Sequence, residues 1–203
     1  MEKIGNDYSF CMVPGNSLSE SSIVYSFGAG EDIHSDISLV RKYGCNVTIF
    51  DPTPKAIKHF KELKDHTLQG QQYHCDSGLS YDVSDAEIKK MQFEEIALWK
   101  ENSTLKFFLP EDPNHVSCSI NNIQNTDDYI EVEANKLSSI MKKMGHQYID
   151  YLKLDIEGAE FEVLENILEE NIDVRNIYLE YHYYDSNKPL NNIRRINKSL
   201  NEL

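Results

Sequence analysis

Carboxylates stand in this chain wherever an extended run gives way to a turn. They occur in Gly28-Ala29-Gly30-Glu31-Asp32, in Phe50-Asp51-Pro52-Thr53-Pro54, and in Lys153-Leu154-Asp155-Ile156-Glu157-Gly158-Ala159-Glu160. Glycines between a strand and a helix free the backbone and let a ligand lie against the main chain. An acid at the tip of the next strand, here Asp51, can hold the two hydroxyls of a ribose. Asp155 suits three roles: a proton acceptor, a ligand for a divalent cation, or a turn-ordering group that accepts hydrogen bonds from the helix start at Gly158.

Gly28 and Gly30 fit the first two positions of a dinucleotide fingerprint, but the third falls at Ile33. Glu31 and Asp32 would repel a pyrophosphate, whereas a cationic nucleoside without phosphates, such as S-adenosylmethionine, is compatible with both. One of these acids is expected to reach the donor's amino group and the other to cap the following helix. His182, just beyond Glu180, is a second candidate base because an unperturbed imidazole titrates near neutrality; the competing reading is a histidine hydrogen-bonded at a strand end. His115, in a proline-rich turn, and Glu157 and Glu180 are candidates to face an acceptor. Asp155, Glu157, Glu160 and Glu180 carry enough oxygens for a calcium- or magnesium-type site. Glu157 and Glu160 also begin a helix, where acids interact favourably with the dipole, so no metal centre is assigned.

The elements that must position these groups follow from periodicity. Ile23 to Phe27, Asn46 to Phe50, Phe93 to Trp99, Ile149 to Leu154 and Asn176 to Tyr183 read as five strands. Helices are expected over Ser35 to Tyr43, after a Thr53 cap with Pro54 in the first position, from a Ser84/Glu87 capping box through Met91, around Leu137 to Met144, from Gly158 to about Glu170, and from Pro189 onward. Gln69 to Val83 reads as loop. Residues 1–21 form a lead-in expected to pack over the sheet edge. Short strands at Leu105 to Leu109 and Tyr129 to Val132, within a region spanning 100–133, are expected to lie beside the main sheet and shape a substrate. Alternating strands and helices imply a single α/β domain over residues 1–203, with a doubly wound, mainly parallel sheet whose ligands sit beyond the carboxyl ends of its strands.

Composition narrows the function classes. Twenty basic against 34 acidic residues give a formal charge of −14, which repels a nucleic-acid backbone over most of the surface. No apolar run approaches the ~20 residues that cross a bilayer, and Met1 to Asp7 lacks an apolar signal core. Cys11, Cys45, Cys75 and Cys118 form no C-x-x-C pair and read as reduced, packed thiols. These features lead to the expectation of a cytoplasmic protein without a membrane or nucleic-acid partner.

The chain resembles the FkbM family of methyltransferases. The resemblance rests on the Val24 to Asp32 loop, Phe50 to Pro54, Phe107 to Pro110 with Pro113 to Ser117, Lys153 to Glu160, and Leu179-Glu180-Tyr181-His182. It implies a class I, Rossmann-like fold, S-adenosylmethionine as cosubstrate, and methyl transfer to an oxygen of a sugar or other small molecule. Gly28 and Gly30 would then underlie the methionine part of the donor, with Asp51 and Pro52 at the ribose. Ile96, Ala97 and Leu98 would flank the adenine, and Asp155 would stand near sulfonium and acceptor. The usual antiparallel hairpin beyond the fifth strand has no counterpart before Leu203, which leaves the fifth strand as an edge and makes a homodimer one way to cover it. The competing readings are a non-catalytic relative that binds the donor and an NAD(P)-dependent oxidoreductase. The second lacks the third glycine and is opposed by the acidic loop.

Overall fold

Side chains on successive strand residues point to opposite faces, and here both faces are apolar, so the strands need cover on two sides. The computed structural model describes residues 1–75, 78–109, 120 and 126–182. The elements begin with β1 (Glu2–Gly5), β2 (Phe10–Val13), β3 (Ile23–Phe27), α1 (His34–Tyr43), β4 (Asn46–Phe50), α2 (Pro54–Leu68), α3 (Asp85–Ile88) and β5 (Met91–Glu94). There follow β6 (Ala97–Leu98), β7 (Ser103–Phe108), β8 (Tyr129–Asn135), α4 (Leu137–Met144), β9 (Tyr151–Leu154), α5 (Glu160–Glu169) and β10 (Ile177–Leu179).

Five strands form the main sheet in the order β10-β9-β3-β4-β5, and every pairing in it is parallel. The chain moves outward from β3 through β4 to β5 and then returns to lay β9 on the other side of β3. The strand order thus reverses between β3 and β9, where loops leaving the carboxyl ends diverge and open a crevice. Val24, Val47, Ile49 and Tyr151 pack with Leu39 and Val40 of α1 and Phe60 and Leu63 of α2. Tyr25, Phe27, Phe50, Leu152 and Leu154 pack with Ile140 of α4 and Val163, Leu164 and Ile167 of α5. Each large aliphatic or aromatic side chain so buried contributes about 1.5–3 kcal/mol.

Several local expectations need correction. Phe93 to Trp99 is not one strand: β5 ends at Glu94, and Ala97 and Leu98 leave the main sheet to pair in parallel with Ala134 and Asn135 of β8. This second sheet has the order β6-β8-β7, with β7 and β8 antiparallel. The capping box at Ser84 and Glu87 forms, but α3 stops at Ile88 and Met91 opens a strand. Thr53 takes the N-cap position of α2 as expected, with Pro54 following, but makes no side-chain cap bond because its hydroxyl donates to Asp51 instead. The fifth strand is short, Ile177–Leu179.

The lead-in forms a hairpin of β1 and β2. Its Phe10 packs edge-on against Tyr178 of β10, the edge strand, with ring centroids 6.3 Å apart. The thiols of Cys11, Cys45 and Cys75 are buried. Among the described residues no helix is long and apolar enough to cross a membrane. His115, Cys118, Tyr183 and the helix expected from Pro189 lie outside the described residues.

Candidate functional site

A cavity of about 490 Å³ opens at the carboxyl ends of the main-sheet strands, within the size range of small-molecule sites. Gly28, Gly30, Glu31 and Asp32 line it after β3, Asp51 and Pro52 after β4, Ala97 and Leu98 at β6, Asp155 and Glu157 after β9, and Glu180 after β10. Apart from Glu160, His182 and the undescribed His115, the candidate residues read from the sequence meet at this one rim. His182 stands just behind it, against Asp155, Glu157 and Glu160.

The turn after β3 is held by hydrogen bonds to its neighbours. Gly28 adopts φ +83°, its amide donates to Phe50 O at 3.0 Å, and its carbonyl accepts from the buried Lys153 Nζ at 3.3 Å. Asp51 is only 5% exposed. Its Oδ2 accepts from the amides of Ala29 and Gly30 at 2.9 and 3.0 Å, and its Oδ1 from the amide and hydroxyl of Thr53 at 2.8 and 2.6 Å. A carboxylate offers about four lone-pair positions, and here the loop itself uses four. Asp51 therefore shapes the glycine turn as well as facing the cavity. Asp32 accepts from the amide and Nδ1 of His34, while the residue that precedes α1, Ile33, makes no side-chain cap. The capping role expected of Glu31 or Asp32 is thus a local bond two residues ahead.

The turn between β9 and α5 carries the densest charge. Glu157 takes a left-handed backbone, φ +50°, which places it outside the helix, contrary to its reading as a helix-start acid. Glu160, the first residue of α5, has no exposed surface. Its Oε1 accepts from the amides of Ile156 and Gly158 at 3.3 and 3.2 Å and lies 3.0 Å from His182 Nδ1. The turn-ordering role considered for Asp155 therefore belongs to Glu160, and Asp155 is left facing the cavity. Burial pushes the Asp155 carboxyl up to about 6, partly offset by Lys153, whose Nζ is 3.9 Å from Oδ2. Such a group is mostly ionised at neutral pH yet holds a proton well. The hydrogen bond to Glu160, helped by nearby Glu157 and Asp155, raises His182 to about 9.

Sequence reasoning missed two contributions. The hairpin turn brings Tyr8, Ser9 and Phe10 to the cavity wall, where Ser9 Oγ donates to Asp32 O at 3.2 Å. Tyr81 reaches the donor-side loop from the segment read as loop: its hydroxyl lies 3.0 Å from Glu31 O, 3.4 Å from Ile33 N and 3.0 Å from the buried His59 Nε2. The only advance signal was the aromatic character of Tyr73 and Tyr81 in an otherwise polar stretch.

The chain is similar to the protein named "Probable methyltransferase-like protein 24" from Rattus norvegicus, with 27% identity over 164 residues that cover 79% of this chain and 33% of the relative. The human protein of the same name is likewise 27% identical over 164 residues, covering 79% of this chain and 32% of its own length. The chain therefore spans about a third of the length of these curated relatives. No solved structure gives a significant match. The family model described as "Methyltransferase FkbM domain" matches residues 23–203, and the chain belongs to that methyltransferase family.

Proposed function

We propose that this chain is an S-adenosylmethionine-dependent O-methyltransferase with a doubly wound, class I Rossmann-like fold, and that its acceptor is a hydroxyl of a sugar or other small molecule. The observation that carries the reading is the convergence of Gly28 to Asp32, Asp51 and Asp155 on one cavity where the strand order reverses. The donor set fits a cation: the loop presents Glu31 and Asp32, and the third glycine position that would admit a pyrophosphate is the buried Ile33.

Gly28 and Gly30 would lie under the methionine part of the donor, with Asp51 and Pro52 at the ribose and Ala97 and Leu98 beside the adenine. Ribose hydroxyls would share Asp51 with the amides it already binds. When bound, the donor supplies a methyl carbon activated by its sulfonium. Positioning then provides much of the catalysis, and Asp155 receives the proton of the acceptor hydroxyl. His182, held by Glu160, presents its Nε2 to the same carboxylate at 3.7 Å. Glu157 and Glu180 would contact the acceptor. The formal charge of −14 favours a small acceptor over a nucleic acid.

Incubation with methyl-labelled donor and pools of sugars and polyols tests the reading. Label should appear in a hydroxyl-bearing product, and Asp155→Asn should cut the rate by about 10²-fold or more. Full turnover in that variant would remove Asp155 from the role of base.

A further inference from the structure

The carboxyl ends of β9 and β10 gather three groups of metal-ligating type. The ligand atoms of Asp155, Glu157 and His182 all lie within 4.8 Å of one another. His182 Nε2 is 3.7 Å from Asp155 Oδ1 and 3.9 Å from Glu157 Oε2. Asp155 turns its other oxygen toward Lys153, so lysine and cluster face different sides of the carboxylate. The imidazole is held from behind through Nδ1 by Glu160, the arrangement that orients a histidine whose other nitrogen binds a metal. A separate observation points the same way. Glu160 is wholly buried, and its second oxygen, Oε2, has no hydrogen-bond partner among the described residues. A buried carboxylate oxygen without a donor is negative charge that the surrounding hydrogen bonds do not meet.

We propose that Asp155, Glu157 and His182 bind a divalent transition-metal ion, with Glu160 as the positioning residue behind the imidazole. One nitrogen and two oxygens suit zinc or manganese better than magnesium or calcium, which take all-oxygen sets. Donors about 2.1 Å from a tetrahedral ion stand about 3.4 Å apart, so the two separations from His182 Nε2 need to close by about half an ångström or less, and the Asp155–Glu157 pair, within 4.8 Å, by more. The sequence alone assigned no metal because it read Glu157 and Glu160 as equivalent acids of one helix start. The fold separates them, turning Glu157 to the cavity and Glu160 to the histidine. Three protein ligands leave a coordination position open, and Asp155 and Glu157 line the cavity. An acceptor hydroxyl at that position would be polarised by the ion and would lose its proton more readily to Asp155 through Oδ2, the oxygen turned away from the cluster. That role rests on the methyltransferase reading, whereas ion binding does not.

The test is calorimetric titration of the chelator-treated full chain with zinc, manganese and magnesium, with manganese also followed by electron paramagnetic resonance. A single ion should bind, zinc and manganese at least tenfold more tightly than magnesium. Glu157→Gln should weaken binding at least tenfold, and Glu160→Gln by about 10- to 100-fold. Far-UV circular dichroism confirms that each variant is folded. Glu157→Gln, at a partly exposed turn residue, keeps the test decisive if loss of the buried Glu160 charge prevents folding. No ion bound at millimolar metal, or unchanged affinity in both Glu157→Gln and His182→Ala, would overturn the site. Titration of the same samples with S-adenosylhomocysteine separates the two readings. Metal binding without adenosyl binding leaves the site standing and removes the methyltransferase role, and the reverse result removes the site alone.

Discussion

Gly28→Ala should destabilise the fold by more than backbone strain alone. Gly28 sits where β3 ends between β4 and β9, and a Cβ built on it would lie 1.7 Å from the backbone oxygen of Asp155 and 2.8 Å from its carbonyl carbon. Ordinary contact begins near 3.4 Å, so the two loops that frame the crevice must separate by well over an ångström. That separation strains the bonds Gly28 N to Phe50 O and Asp155 N to Phe27 O, now 3.0 and 3.1 Å. Each contributes about 1 kcal/mol net, and a left-handed backbone at a non-glycine residue costs a further 1–2 kcal/mol or so. The sum is about 3–4 kcal/mol, a large part of a typical domain's stability. For a chain of this length that corresponds to a fall of roughly 10 °C in Tm. Gly145→Ala is the internal control. Its φ is +76° but nothing lies within 4 Å of the position its methyl group would take, so it should cost only the backbone strain, about 1–2 kcal/mol. Urea denaturation of both variants measures the difference. Equal losses would refute the argument that Gly28 is required by a close approach of two strand ends.

Asp51→Asn should destabilise the fold by about 2–4 kcal/mol, because an amide cannot accept from four donors and its NH2 must face buried N–H groups. Donor affinity should fall with it, and a variant with normal affinity would remove Asp51 from the ribose role. Tyr81→Phe should cost about 1–3 kcal/mol and weaken donor binding without touching the cavity wall, since the hydroxyl that ties His59 to the Glu31–Ile33 backbone is gone. Burial lowers His59 from 6.5 to about 4. The unfolded chain therefore binds the extra proton first. This contribution is fully present above pH 6.5, declines as pH falls, and is lost by about pH 4. The total is about 3 kcal/mol. Urea denaturation between pH 7 and 4 should show a shallower decline in His59→Gln than in the native chain, and parallel declines would contradict the assignment.

The sequence makes legible what depends on neighbours in the chain. β3, β4 and β9 and their helices follow from apolar periodicity, and the acids at their ends follow because a parallel sheet places carboxyl ends together. What it hides depends on partners distant in sequence. Glu160 and His182 are 22 residues apart, and nothing local distinguishes Glu160 from Glu157 until the left-handed turn at Glu157 sends them in different directions. Tyr81 finds Glu31 across 50 residues. The strand expected from Phe93 to Trp99 breaks because Ala97 has a better partner in Ala134 than in the main sheet, a competition that apolar content cannot reveal. The hairpin turn at Tyr8 is tied to the site by Asn6 and Ser9, which bond to Asp32 across more than 20 residues.

The central claim is that the crevice between β3 and β9 holds a cationic adenosyl donor. Calorimetric titration with S-adenosylmethionine, S-adenosylhomocysteine and NAD in parallel tests it most directly. The account predicts micromolar binding of both adenosyl ligands and none of NAD, because Glu31, Asp32 and Ile33 occupy the ground a pyrophosphate would need. Binding of NAD, or of none of the three, would contradict it.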